Sequence, residues 1–131
     1  MIVADASAVI DFLTVLPETD AVAGLLADRL TQGQPVNAPH LLDVEVLHVL
    51  RKMAARKVLS ARRAERAMDD FLALRIIRHP ATAMARRIWD LRDNLSAYDA
   101  AYVSLAEALD CPLITRDARI AGSGFAQVEV Y

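Results

Sequence analysis

MIVADASAVIDFL, residues 1–13, contains the junction on which the fold turns. Ile2, Val3 and Ala4 are apolar without alternation, as a short strand buried on both faces requires. Asp5 interrupts the run, and SAVIDFL from Ser7 onward reads as the start of a helix. A strand that ends on a carboxylate and passes straight into a helix opens a βα unit.

The pattern repeats along the chain. Residues from about Thr19 to Gln32 form an amphipathic helix stopped by Gly33, and PVNAP is a candidate strand. Leu41 to roughly Arg56 is a long helix, Arg62 to about Leu74 another, and RIIRH is strand-like. Ala81 to Leu91 is helical, and a further helix opens at Ala97 behind Ser96, a favourable N-cap. CPLIT is a strand, a helical turn follows near Ala118, and QVEVY alternates as a strand. Strands separated by helices predict an α/β domain with a largely parallel sheet and more helices than strands.

The 131 residues suffice for one domain, 1–131, with 55% hydrophobic and 24% charged residues, a globular balance. The single cysteine, Cys111, rules out an internal disulfide and suits a reducing compartment. No apolar run reaches the length of a membrane span. The N-terminal stretch meets Asp5 too soon for a signal peptide, so a cytoplasmic protein that makes no use of a membrane is expected.

The net charge of −2 hides an uneven distribution. Residues 51–66, RKMAARKVLSARRAER, hold seven basic residues against Glu65, a local +6, so the remainder carries −8. The segment reads either as a phosphate-tracking patch or as a solvated helical face.

The acids carry the chemistry. Asp5 follows the first strand in VADAS, and Asp117 follows a later one in LITRD. In an open parallel sheet the carboxyl ends of the strands line one crevice, where ligands bind. Ser7 and Thr115 stand beside these acids, able to orient a carboxylate or a water. At about 100° per residue, Asp99 in NLSAYDAAYVSLAEALD, residues 94–110, lies in line with Val103 and Ala106. Glu45 sits within about 60° of the apolar line Leu42, Val46, Val49, Leu50 and Met53. Asp43 turns away, towards the surface.

An unpartnered buried carboxylate costs several kcal/mol, so each such acid needs an arginine or lysine, a shared proton, or a cation. A cation accounts for all four acids at once, and oxygen ligands suit Mg²⁺ or Mn²⁺. Against this, His40, His48 and His79 read as surface or cap positions, Tyr98, Tyr102 and Trp89 as packing, and Asp11, Asp69 and Asp70 as solvated. Arg116 is a candidate phosphate contact. A receiver domain would need an acidic pair at the first strand and a later lysine, and a haloacid-dehalogenase-type phosphatase an aspartate where Ser7 stands. A P-loop needs a glycine pattern that four scattered glycines do not supply.

VADAS, EVLHVL, YDAAYVSLAE and LITRDARI, in this order and spacing, resemble the PIN-domain nucleases, and more narrowly the VapC-type toxins of bacterial toxin–antitoxin pairs. The resemblance spans Asp5 to Asp117. It implies a three-layer α/β/α domain and a metal-dependent endoribonuclease leaving 5′-phosphate and 3′-hydroxyl ends. By position, Asp5, Glu45 and Asp99 match the first three family carboxylates, and Asp117 the fourth, which serves a second ion or an ion-bound water. Ser7 and Thr115 fall where the family lines its site with hydroxyls. His48 departs from the asparagine common in relatives. The resemblance further implies Mg²⁺ or Mn²⁺, an RNA substrate, a cognate VapB-type antitoxin and a homodimer. The rival is a non-catalytic PIN-like module that binds RNA or a partner.

Overall fold

The hydrophobic runs between the breakers each become one element of a sheet-centred domain. The computed structural model describes residues 1–15, 20–122 and 128–130. The strands are β1 (Ile2–Ala4), β2 (Val36–Pro39), β3 (Ile76–His79), β4 (Leu113–Thr115) and β5 (Val128–Val130). The helices are α1 (Ala6–Thr14), α2 (Ala21–Thr31), α3 (Leu41–Ala55), α4 (Ala61–Ala73), α5 (Ala85–Asp90), α6 (Ala97–Leu109) and α7 (Ala118–Gly122). The sheet order is β3-β2-β1-β4-β5, and every pairing is parallel.

This order fixes the layers. The chain steps outward from β1 to β2 to β3, then returns across the sheet to β4. Crossovers of one hand place helices on opposite faces when the direction of travel reverses. Accordingly α1, α2, α3 and α4 pack on one another, while α5 packs on α6 and α6 lies over β1 and β2. The result is the expected three-layer α/β/α domain. Among the described residues, no helix is long and apolar enough to cross a membrane.

Local chemistry sets the boundaries. Asp20 caps α2 through the Val22 and Ala23 amides at 2.9 and 3.0 Å. Ser60 caps α4 and Ser96 caps α6, each accepting at 3.1 Å from the third residue on. Such caps contribute about 1 kcal/mol each. Gly33, at φ +66°, terminates the α2 region in the left-handed conformation that glycine adopts without strain. The predicted helix at Ala81–Leu91 is split instead. A 3₁₀ turn covers Ala81–Met84 before α5 begins, because Met84 at φ −117°, ψ 11° leaves helical geometry.

β1 and β4 are wholly buried, as their unbroken apolar sequences require. The α6 helix is buried at seven successive residues, Ala100 to Ala106, with small side chains allowing close approach to the sheet. Two aromatics depart from the expected packing role. Trp89 and Tyr98 are each 66% exposed. Trp89 lies on α5, which has no buried residue, and stacks under the Arg92 guanidinium at 4.7 Å.

Candidate active site

Asp5 stands at the carboxyl end of β1, beside β4, where the strand order changes direction. Its backbone amide still belongs to the sheet, donating to the Ile114 carbonyl at 3.2 Å. Its side chain caps α1: Oδ1 accepts from the Ala8 amide at 3.0 Å and from the Ser7 hydroxyl at 2.6 Å. The Thr115 hydroxyl, at the end of β4, donates to Oδ2. Asp5 is only 7% exposed, and burial raises its pKa against the opposing pull of these donors. The Ser7 amide adds to the downward pull of these donors.

Glu45 reaches the same place from α3. It is half-buried, and its pKa is raised first by burial and then by the charges of Asp5 and Asp99. These three acids therefore share one electrostatic site. The Tyr102 hydroxyl on α6 opposes the rise, donating to Glu45 Oε1 at 2.6 Å. Tyr102 is 2% exposed, and burial beside this carboxylate pushes its phenol well above the ordinary range. The packing role read for Tyr102 holds, but its hydroxyl has a second task that the sequence reading missed. The signal was available, since a buried tyrosine needs a partner for its polar tip.

Asp99 sits in the first turn of α6, its amide held by the Ser96 cap. It is half-buried rather than enclosed, because the helix enters the core only from Ala100 onward. Helical projection gave its direction correctly and said nothing of its depth. Among the described residues, none of Asp5, Glu45 and Asp99 has a lysine or arginine within ion-pairing distance.

Asp117 is arranged differently. Arg119 binds both of its carboxylate oxygens, at 3.0 Å through Nε and 2.6 Å through Nη2, and adds a backbone bond at 2.9 Å. This pairing holds Asp117 below the usual carboxylate range, while the charge of Asp99 also acts on Arg119. The pair is open to water, with the Arg119 side chain 85% exposed. Arg116 takes another path: its guanidinium pairs with Asp11 on α1 and with Asp20 at the cap of α2. Its amide donates to the Ser7 hydroxyl at 3.0 Å. Asp11 is thus an ion-pair partner instead of a solvated acid, and Arg116 spends its charge on the fold. Asp43 likewise pairs with Arg78 at 2.9 Å.

The histidines stay outside this site. His40 and His48 are exposed, and His79 contacts Asn37 Oδ1 at 2.9 Å. A groove of about 550 Å³ opens beside Ser7, lined also by Ile10, Asp11, Val49 and Arg116.

Among the described residues, no three acid, histidine or cysteine side chains form a ready-made coordination sphere. The donor chemistry nonetheless fits a hard divalent cation. The groups are all carboxylates, burial raises the pKa of two of them, and a divalent charge would reverse that bias.

The family model described as PIN domain matches residues 2–126. The chain belongs to the PIN-domain family. It is 41% identical over 134 aligned positions to ribonuclease VapC9 of Mycobacterium tuberculosis, an alignment covering 99% of this chain and 96% of the relative. That similarity places it among the VapC members of the family, as the resemblance of its four motifs implied. The crystal structure of PAE2754 from Pyrobaculum aerophilum superposes with a TM-score of 0.71 at 21% identity, covering 99% of this chain and 83% of the other. VapBC2 from Rickettsia felis, solved bound to a DNA fragment from its promoter, superposes at 0.70 with 14% identity, covering 99% and 98%. At these identities the two structures speak for the fold.

Proposed function

We propose that this VapC-family protein is an endoribonuclease that hydrolyses RNA phosphodiester bonds at Asp5, Glu45 and Asp99, with Asp117 as the fourth acid. The observation that carries this reading is the unneutralised acidic cluster. Three carboxylates from a strand end and two helices share one site; burial raises the pKa of Asp5, and burial with the charges of Asp5 and Asp99 raises that of Glu45. The relative named a ribonuclease, matched along nearly its whole length, supports the same reading.

Asp5, Glu45 and Asp99 would hold Mg²⁺ or Mn²⁺, with Asp117 joining once Arg119 releases it. Such an ion supplies charge neutralisation at the phosphate and lowers the pKa of a water. The protein's own part is positional. Ser7, Thr115 and the Ala8 amide hold Asp5 in a single orientation, and Tyr102 does the same for Glu45. The groove beside Ser7, whose hydroxyl bonds Asp5, would take an extended phosphodiester strand. The same reading makes a VapB-type antitoxin the partner, a homodimer the assembly and the cytoplasm the compartment.

The test is cleavage of end-labelled RNA by the purified protein. Mg²⁺ or Mn²⁺ should support cut products with 5′-phosphate and 3′-hydroxyl ends, EDTA should abolish them, and Glu45→Gln should remove them. Undiminished cleavage in EDTA would overturn the metal assignment. RNA binding without cleavage under every condition would establish the non-catalytic module instead.

A further inference from the structure

The basic segment 51–66 occupies the end of α3, the turn after it and the start of α4. Its seven basic side chains are all exposed, and among the described residues none forms an ion pair. Unlike Arg78, Arg87, Arg116 and Arg119, these cations are not used to hold the fold together.

A second groove, of about 400 Å³, lies against this segment. Its walls are Leu13 and Thr14 at the end of α1 and Leu59, Arg63, Arg66 and Ala67 across from them, with Asp70 one turn beyond Arg66. The first groove is lined by Ser7, Ile10 and Asp11 of the same helix, and the Ser7 hydroxyl bonds Asp5. The two grooves therefore follow one another along α1. Ser7 and Thr14 are seven residues apart, about 10 Å along a helix at 1.5 Å per residue, a span of a nucleotide or two of extended strand. Arg63 and Arg66, spaced i and i+3, share a face of α4.

We propose that Arg63 and Arg66 form a phosphate-binding subsite for the RNA strand cut at Asp5, Glu45 and Asp99. The strand runs along α1, and the two guanidiniums hold backbone phosphates flanking the scissile one. Arginine's planar fork suits this contact. Arg116, whose amide meets Ser7, is committed to Asp11 and Asp20, and Arg119 to Asp117, so the phosphate contacts fall to α4. This inference rests on the ribonuclease reading and adds where its substrate lies.

The experiment measures the salt dependence of RNA binding. The probe is a short fluorescein-labelled single-stranded RNA of mixed sequence, bound to full-length Glu45→Gln protein and followed by anisotropy. Each phosphate contact on single-stranded nucleic acid contributes about 0.7 to the slope of log K against log salt. Adding Arg63→Ala and Arg66→Ala should therefore lower the slope by about 1.4, so that a fourfold rise in salt weakens the parent about sevenfold more than the variant. Arg63→Lys with Arg66→Lys should keep most of the slope, and Arg92→Ala, on the opposite layer, all of it.

An unchanged slope in the folded double-alanine protein overturns the subsite. So does loss of affinity without a change of slope, which marks a packing effect. If RNA binding is unaltered but the double variant escapes a cognate antitoxin, the segment is a protein contact and the proposal is equally overturned. Wild-type cleavage run in parallel separates the two levels. Cleaving wild type with an unchanged slope removes the subsite alone, whereas wild type that neither binds nor cuts RNA removes the ribonuclease reading with it.

Discussion

Replacing Tyr102 by phenylalanine removes one oxygen from the boundary between core and site. The ring remains buried, and Glu45 loses the hydroxyl that donates to it at 2.6 Å. A hydrogen bond to a charged group contributes about 1.5–3 kcal/mol, and less where water replaces the donor. Glu45 is half-buried, so the expected loss is about 1–1.5 kcal/mol, equivalent to a Tm drop of roughly 4–6 °C for a chain of this size. The loss should depend on pH. Glu45 already titrates above the ordinary glutamate value because of burial and the charges of Asp5 and Asp99, and removing the Tyr102 donor raises it further. A folded state that binds a proton more tightly than the unfolded chain loses stability as pH rises from the unfolded value, about 4.3, through the folded one. The deficit of Tyr102→Phe should therefore be complete above the folded value and shrink as Glu45 becomes protonated below it. Thermal unfolding of both proteins in EDTA across that range measures it. A deficit of equal size at acidic and neutral pH, or none at all, would refute the reasoning.

Asp5 and Asp99 should respond oppositely to conversion to asparagine in the metal-free protein. Asp5→Asn places an amide among three donors and should cost about 1–3 kcal/mol in urea unfolding, because Ser7, Ala8 and Thr115 all donate to it. Asp99→Asn relieves repulsion on Glu45 but gives up a charge in the first turn of α6, leaving a gain of up to about 0.5 kcal/mol. Mg²⁺ at about a hundred times its Kd should raise the wild-type Tm by roughly 10 °C, and should leave Asp99→Asn nearly unmoved in the same scan. Asp110, the C-cap of α6, holds φ +48°, so Asp110→Gly should stabilise by about 1 kcal/mol in the same urea experiment.

Element order was legible because the punctuation sits at the element edges. Asp20, Ser60 and Ser96 cap helices, and Gly33, Pro80 and Pro112 fall just outside elements. The helical period likewise put Glu45 and Asp99 on inward-facing sides. What it left out is depth and long-range pairing. Trp89 and Tyr98 look like core residues by type, yet one sits on a helix with no fully buried residue and the other in an exposed first turn. The Tyr102–Glu45 contact joins residues 57 apart, and only the placement of α6 over β1 and β2 and of α3 after β2 decides it. Arg116 and Arg119 flank Asp117 in sequence, but the course of the chain after β4 sends one to Asp11 and Asp20 and the other to Asp117. Local pattern predicts which residues carry charge and which face inward. It does not predict which charge meets which.

The most direct test of the acidic site as a ribonuclease centre is a map of new 5′-phosphate RNA ends in bacterial cells. Induced wild type is compared with induced Asp99→Asn, both folded and without antitoxin. Discrete ends present only with wild type are the predicted result, and they name the target in the same experiment. Identical maps from the two proteins, repeated in the native host, would contradict the account.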